Sequence, residues 1–160
     1  MSFRVRDAKV EDLAAVGQLA GRLVRVHCQY DPARWMAIEG VEEGYERYFA
    51  SQLGLRGTII LVAEDEGDGQ IVGYTYASLE ERNWADWRDA CARLHDLYIV
   101  EKARRKGLAR QMVRDCLRRF TELGVPLAVS MIAWQNDASQ ALLRDHGFRP
   151  AVIEMVRELK

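Results

Sequence analysis

The residues best placed to do chemistry lie between Leu94 and Ala109. The run Leu94-His95-Asp96-Leu97-Tyr98-Ile99-Val100 reads as a strand. After Glu101 to Ala103 it feeds Arg104-Arg105-Lys106-Gly107-Leu108-Ala109, a basic, glycine-containing turn that opens a helix. Such a turn gathers backbone N–H groups and the positive end of a helix around one point, which is how a pyrophosphate is held. Gly107 lets the backbone approach the phosphates, and small Ala109 keeps the first helical turn free of bulk. Neither common nucleotide loop is present: the chain has no G-x-x-x-x-G-K-[ST] and no G-x-G-x-x-G. Arg110, Arg114 and Arg118 follow four apart on one helix face, a spacing more typical of a solvated stripe than of a phosphate clamp.

The elements that must position this stretch can be read from periodicity. Phe3 and Val5 alternate with polar residues as in a short strand, and Leu13 to about Cys28 carries apolar residues at helical spacing, stopped by Asp31-Pro32. A second helix is expected over Val41 to Leu53, with Glu39, Glu42, Glu43 and Glu46 at its start, where the helix dipole favours acids. Thr58 to Ala63 and Ile71 to Leu79 read as a hairpin, Glu80 to Ala90 as a loop or short helical excursion, and Ala92 to Val100 as the next strand. A helix runs from Gly107 to Gly124, a strand from Pro126 to about Trp134, a short helix from Ala138 to His146, and Val152 to Leu159 is expected as a closing strand. The order is that of an α/β fold with a mixed, partly parallel central sheet flanked by helices.

With 160 residues, 49% of them hydrophobic, the chain suits one domain spanning 1–160 with a single core. No run approaches the ~18 apolar residues of a membrane helix, and Met1 to Arg6 lacks the apolar stretch of a secretory signal, so a cytoplasmic protein is expected. Cys28, Cys91 and Cys116 are odd in number and lack metal-ligand spacing, which argues against a disulfide framework and against a zinc site. The net charge of −1 argues against a dedicated nucleic-acid binder. That charge is unevenly spread, with 11 basic against 16 acidic residues in 1–94 and 12 against 8 in 95–160. One half suits a cation and the other an anion.

The spacing Arg104-x-x-Gly107-x-Ala109 after a strand resembles the R/Q-x-x-G-x-G/A signature of the GNAT superfamily of acetyl-CoA-dependent N-acetyltransferases. Two further stretches resemble it too: Leu97-Tyr98-Ile99-Val100, like the family's pantetheine-binding strand, and Asn136-x-x-Ser139-x-x-Leu142-Leu143-x-x-x-Gly147-Phe148, like its second conserved block. The resemblance implies a GNAT-like fold and acetyl-CoA as co-substrate. It implies that backbone groups of Leu97, Tyr98 and Ile99 meet the pantetheine amides. Amides from Arg105, Lys106, Gly107, Leu108, Ala109 and Arg110 would cradle the pyrophosphate, with Arg104 beside them, and Asn136 would meet the pantetheine arm. The partner implied is a primary amine acceptor, a small molecule in preference to a protein, with no nucleic acid and no membrane; a homodimer is a possible assembly.

Amine attack requires a neutral nucleophile, and His95 and Asp96 lie where related enzymes hold the group that takes this proton. His95 has a suitable intrinsic pKa. Because neighbouring strand residues face opposite sides, at most one of the two should point at the acetyl group unless a bulge intervenes. One position departs from the family pattern: Leu143 stands where many members carry a tyrosine as general acid, and leucine cannot donate a proton. A catalytically weak acyl-CoA-binding module and an interaction domain built on the basic 102–119 stretch are the alternatives. For the acceptor, Glu42, Glu43, Glu80 and Glu81 could attract a cation, Trp84 and Trp87 could pack its head, and His27 and Tyr30 are further candidates.

Overall fold

The computed structural model describes residues 2–159; the two end positions of the expected 1–160 domain lie outside the described residues. Strand β1 (Phe3–Asp7) leads through a short 3-10 turn into α1 (Leu13–Tyr30) and α2 (Val41–Gln52). Strands β2 (Thr58–Asp65), β3 (Ile71–Glu80) and β4 (Cys91–Ile99) follow, then α3 (Leu108–Glu122), β5 (Ala128–Ser130) and α4 (Asp137–Arg144). The sheet order is β1-β2-β3-β4-β5, antiparallel throughout except for the parallel pair β4 and β5. Among the described residues, no helix is long and apolar enough to cross a membrane.

Alternation along the strands sends side chains into two apolar layers. Ile60 and Val62 of β2 with Tyr74 and Tyr76 of β3 meet Val16, Leu19 and Ala20 of α1 and Phe49 of α2. On the opposite face Ile59, Leu61 and Ala63 join Leu94 and Ile99 of β4, Met112, Val113, Cys116 and Phe120 of α3, and Leu143 of α4. Helix α1 approaches α2 closely because Gly17 has no side chain: a Cβ there would lie 2.5 Å from the carbonyl oxygen of Glu42.

Two expectations need correction. The strand expected over Pro126 to Trp134 is confined to Ala128–Ser130, because β5 diverges from β4 after the pair Leu94↔Ser130. The stretch expected as a closing strand, Val152 to Leu159, belongs to no sheet. Its alternation is strand-like, but periodicity identifies a strand's faces and not the edge it needs. Glu80 to Ala90 forms a tight excursion pinned by one bridge, Asn83↔Arg88.

Candidate functional site

The site is organised by an irregularity in β4. Tyr76 pairs with Asp96 and Ala77 with Leu94, so His95 is the extra residue of a β-bulge. The bulge resolves the alternation problem by turning both His95 and Asp96 toward the α1/α2 face. The Asp96 carboxylate accepts a hydrogen bond from the Tyr74 hydroxyl at 3.1 Å. His95 Nε2 lies 2.8 Å from the Ser78 hydroxyl, and its ring stacks on Tyr76 with centroids 4.7 Å apart. One residue before His95 and one after Asp96, Leu94 and Leu97 pack on the opposite, α3 side.

Burial raises the Asp96 carboxyl to about 6, opposed by the Tyr74 hydrogen bond and the nearby His27. A carboxylate there is ionised at neutral pH yet basic enough to take a proton. Burial lowers the His95 pKa, with Glu80 opposing and Arg93 reinforcing the shift, so the ring is neutral at neutral pH. Tyr45 of α2 is pushed up to about 12 by burial and by the charge of Asp96, and Tyr74 is also raised. Both phenols therefore stay protonated around the carboxylate. Sequence reasoning missed Tyr45, Tyr74, Tyr76 and Ser78, although Tyr74-x-Tyr76-x-Ser78 on β3 was a readable face of alternating hydroxyls.

Downstream, the divergence of β5 leaves the edge of β4 beyond Leu94 outside the ladder; because the Val100 N–H donates to the Val72 carbonyl of β3, alternation turns the backbone groups of Tyr98 to β3 as well and those of Leu97 and Ile99 to the open side. The chain then enters the basic turn, where Arg105 (φ 58) and Gly107 (φ 81) both adopt the left-handed region. That conformation is uncommon for arginine. Among the described residues, none of the N–H groups of Arg105, Lys106, Gly107, Leu108, Ala109 and Arg110 donates to a protein acceptor, and Gly107 caps α3 without a side-chain bond. A Cβ built at Gly107 would meet nothing within 4 Å, so the space above it is open. A hollow of about 540 Å³ lined by Glu101, Lys102, Arg104, Arg105 and Lys106 adjoins the turn. Unpaired amides, open space and cationic rims together fit a diphosphate group.

The other expected residues have more structural surroundings. The Arg104 guanidinium donates from Nε to the Ile99 carbonyl at 2.9 Å and lies over the Tyr98 ring, tying the strand end to the turn. The Arg110 side chain pairs with Asp145 at 2.7 Å and Arg118 with Glu122, as a solvated stripe should. Asn136 caps α4, its side-chain oxygen accepting from the Ser139 N–H at 3.1 Å. Leu143 is 7% exposed and belongs to the layer under α3. Of the acceptor-side candidates, His27 lies near Asp96, with Tyr30 and Trp35 packed on its ring. Trp84 and Trp87 stand exposed at the tip of the 80–90 excursion, Glu42 is engaged with Arg25, and Glu80 with Arg88 and Arg93.

The fold recurs in solved structures. A mutant of the BH1408 protein from Bacillus halodurans superposes with a TM-score of 0.82 at 19% identity, covering 98% of this chain and 99% of that one. Glucosamine-6-phosphate N-acetyltransferase from Arabidopsis thaliana gives 0.72 at 16% identity over the whole of both chains. The AAC(6')-Iy structure with a CoA-linked acetylneamine bisubstrate analogue gives 0.75 at 17% identity, covering 100% of this chain and 99% of that one. No curated protein matches the chain in sequence. The model of the acetyltransferase (GNAT) family matches residues 24–148, a span that holds the β4 bulge, the basic turn and the Asn136 block, and the chain belongs to that family.

Proposed function

We propose that the chain works as one acetyltransferase unit over 1–160, moving an acetyl group from acetyl-CoA to a primary amine of a small molecule by direct attack. The observation that carries this reading is the bulge at His95. It sets a basic carboxylate on the sheet face next to the free edge of Leu97–Ile99, one short turn from six unpaired amides. The solved structures that share the fold, which include a glucosamine-6-phosphate N-acetyltransferase and an aminoglycoside N-acetyltransferase, agree with an amine acceptor.

Each residue then has a role. The N–H groups from Arg105 to Arg110 hold the pyrophosphate, and on the free edge the N–H and C=O of Leu97 and the N–H of Ile99 hydrogen-bond the pantetheine amides and the thioester carbonyl, while the backbone groups of Tyr98 stay paired with β3. Asn136 offers its side-chain NH₂ to the pantetheine arm, its oxygen being committed to the cap of α4. Asp96 attracts the substrate ammonium and takes its proton, directly or through one water, with the Tyr74 hydroxyl holding the carboxylate in place. His95, neutral and oriented by Ser78 and Tyr76, lines the path to Asp96 and offers its second ring nitrogen to the amine. In the transfer the amine nitrogen forms a bond to the acetyl carbon and the carbon–sulfur bond breaks. The electron pair leaves on sulfur as a thiolate; of the two protons the ammonium must lose, the first goes to Asp96 before attack and the second passes to the departing thiolate, giving the CoA thiol. A thiol of pKa about 8.5 leaves readily without a protein acid, which accommodates the buried Leu143.

The test is an acceptor screen with acetyl-CoA, reading free thiol over small amines, peptides and buffer alone. Thiol release that depends on a small amine is the expected result. CoA binding without release over the whole panel would instead indicate an acyl-CoA-binding module.

A further inference from the structure

The α1/α2 face of β4 carries one more charged side chain, and its hydrogen bonds are unmade. Ala92 and Leu94 belong to the α3 layer, so alternation turns Arg93 the other way, to the face that the bulge gives His95. The Arg93 side chain is only 23% exposed. Among the described residues, none of its three guanidinium nitrogens donates to a protein acceptor, and Nε is buried without a partner. Glu80 Oε1 approaches Nε to 2.7 Å, which balances charge, but the alignment is too poor for a hydrogen bond. A guanidinium carries five donors in a fixed fork, and leaving charged donors unmet in a half-buried place is costly.

One carboxylate ties Arg93 to the site. The same Glu80 Oε1 stands 3.9 Å from His95 Nε2, while Glu80 Oε2 accepts from Arg88 Nη2 at 2.6 Å. Two guanidinium ions therefore share one acid, and Arg88 Nε is a second buried donor without an acceptor. Glu80, a candidate for attracting a cationic acceptor, already has two cations beside it, and the cluster is net positive. The Asp96 carboxylate supplies the negative end of the same face. Tyr76 of β3 pairs with Asp96 and Ser78 with Arg93, so the opposite charges are two strand positions apart, on the order of 7 Å along the sheet.

We infer that Arg93, backed by Arg88, binds an anionic group of the acceptor, so that the substrate class is a primary amine carrying a carboxylate or phosphate roughly 7 Å from its nitrogen. The inference rests on the acetyl-transfer reading for the amine end and on the unpartnered guanidinium for the anion end. Two oxygens of either anion match the arginine fork in a bidentate way. With its ammonium at Asp96 and its anion at Arg93, such a substrate is aligned along β4 with its nitrogen toward the thioester. A diamine would bring a second cation against Arg93 and Arg88 and is rejected. An α-amino acid is too short to reach both groups.

The probes are δ-aminovalerate, aminobutyl phosphate, pentylamine and the diamine cadaverine, each given with acetyl-CoA and read as free thiol. At least one anionic amine should exceed pentylamine in kcat/KM by roughly tenfold to a hundredfold, the range of a charge-assisted bidentate contact, and cadaverine should fall below it. The better anionic probe identifies the group as carboxylate or phosphate. Arg93→Gln, checked for a single thermal unfolding transition, should bring the ratio of anionic to neutral amine near one, through KM more than kcat, and Arg93→Lys should restore part of it. Calorimetry of the same anionic amine on the CoA-bound protein reads binding apart from transfer, and the wild-type panel decides the substrate class even where a variant does not fold. Thiol release that does not favour anionic over neutral amines, or a preference that survives in folded Arg93→Gln, overturns this inference and leaves the transfer reading standing. Arg93-dependent binding with no thiol release from any amine supports the anion site and overturns the transfer reading. Neither release nor binding overturns both.

Discussion

Replacing Asp96 by Asn should separate catalysis from stability in opposite directions. The ordinary carboxyl value of 3.8 is raised to about 6 at this position, mainly by burial. At 1.36 kcal/mol for each pH unit, the charged form is disfavoured in the folded protein by about 3 kcal/mol. The sign follows from proton binding: between pH 3.8 and about 6 the folded state holds a proton that the unfolded state has released, so stability falls as pH rises through that window and stays reduced above it. Asparagine fills the same volume without charge and can still accept from the Tyr74 hydroxyl. Asp96→Asn should therefore raise the unfolding free energy by about 1–3 kcal/mol at pH 7.5, the lower figure allowing for a weaker hydrogen bond to a neutral acceptor. The gain should vanish below about pH 4, where the wild-type carboxyl is protonated in both states. The same substitution should lower kcat/KM by about 10² or more, the range for removing a general base. Urea unfolding at pH 4 and pH 7.5, beside thiol-release kinetics on both proteins, measures both effects. Equal stabilisation at the two pH values would show that Asp96 is not held in a desolvating site. A wild-type rate in the folded variant would take the base role away from it.

His95→Ala should lose its stack on Tyr76 and its Ser78 contact while costing less than tenfold in kcat/KM, since the proton goes to Asp96; a loss equal to that of Asp96→Asn would make the two a single proton-accepting unit. Gly107→Val should abolish CoA binding by calorimetry while the protein remains folded, because the new side chain meets open space and the left-handed backbone costs only about 1–2 kcal/mol. Binding at wild-type affinity would remove the turn from the site. Leu143→Tyr places a phenol in the layer under α3, so it should destabilise by about 1–3 kcal/mol in thermal or urea unfolding and leave kcat unraised. A clear rise in kcat would mean that departure of the thiolate limits turnover. Gly17→Ala drives a methyl to 2.5 Å from the Glu42 carbonyl oxygen and should cost about 1–3 kcal/mol by prising α2 off α1.

What could be read in the sequence was whatever depends on neighbours in the chain. The basic turn was legible because its unpaired amides are consecutive and lie ahead of one helix, and the helix and strand order followed from periods of 3.6 and 2. The bulge was not legible. It arises where Tyr76 and Ala77 of β3 fail to match β4 one for one, and that mismatch exists only once two segments about twenty residues apart are paired. Its consequence is the central feature of the site, since without it His95 and Asp96 would face opposite layers and one of them would be lost to the α3 core. The rise in the Asp96 pKa was hidden for the same reason: it comes from burial under elements distant in the chain, against which the Tyr74 hydrogen bond from β3 works. The Val152–Leu159 stretch shows the converse, a local pattern that was read as a strand although the chain itself provides no partner in register. Local pattern thus marks the turn proposed to hold phosphate, whereas strand pairing decides the geometry of the proposed acid–base end. A variant that shifts the β3/β4 register by one residue should accordingly leave CoA binding at the turn while abolishing transfer.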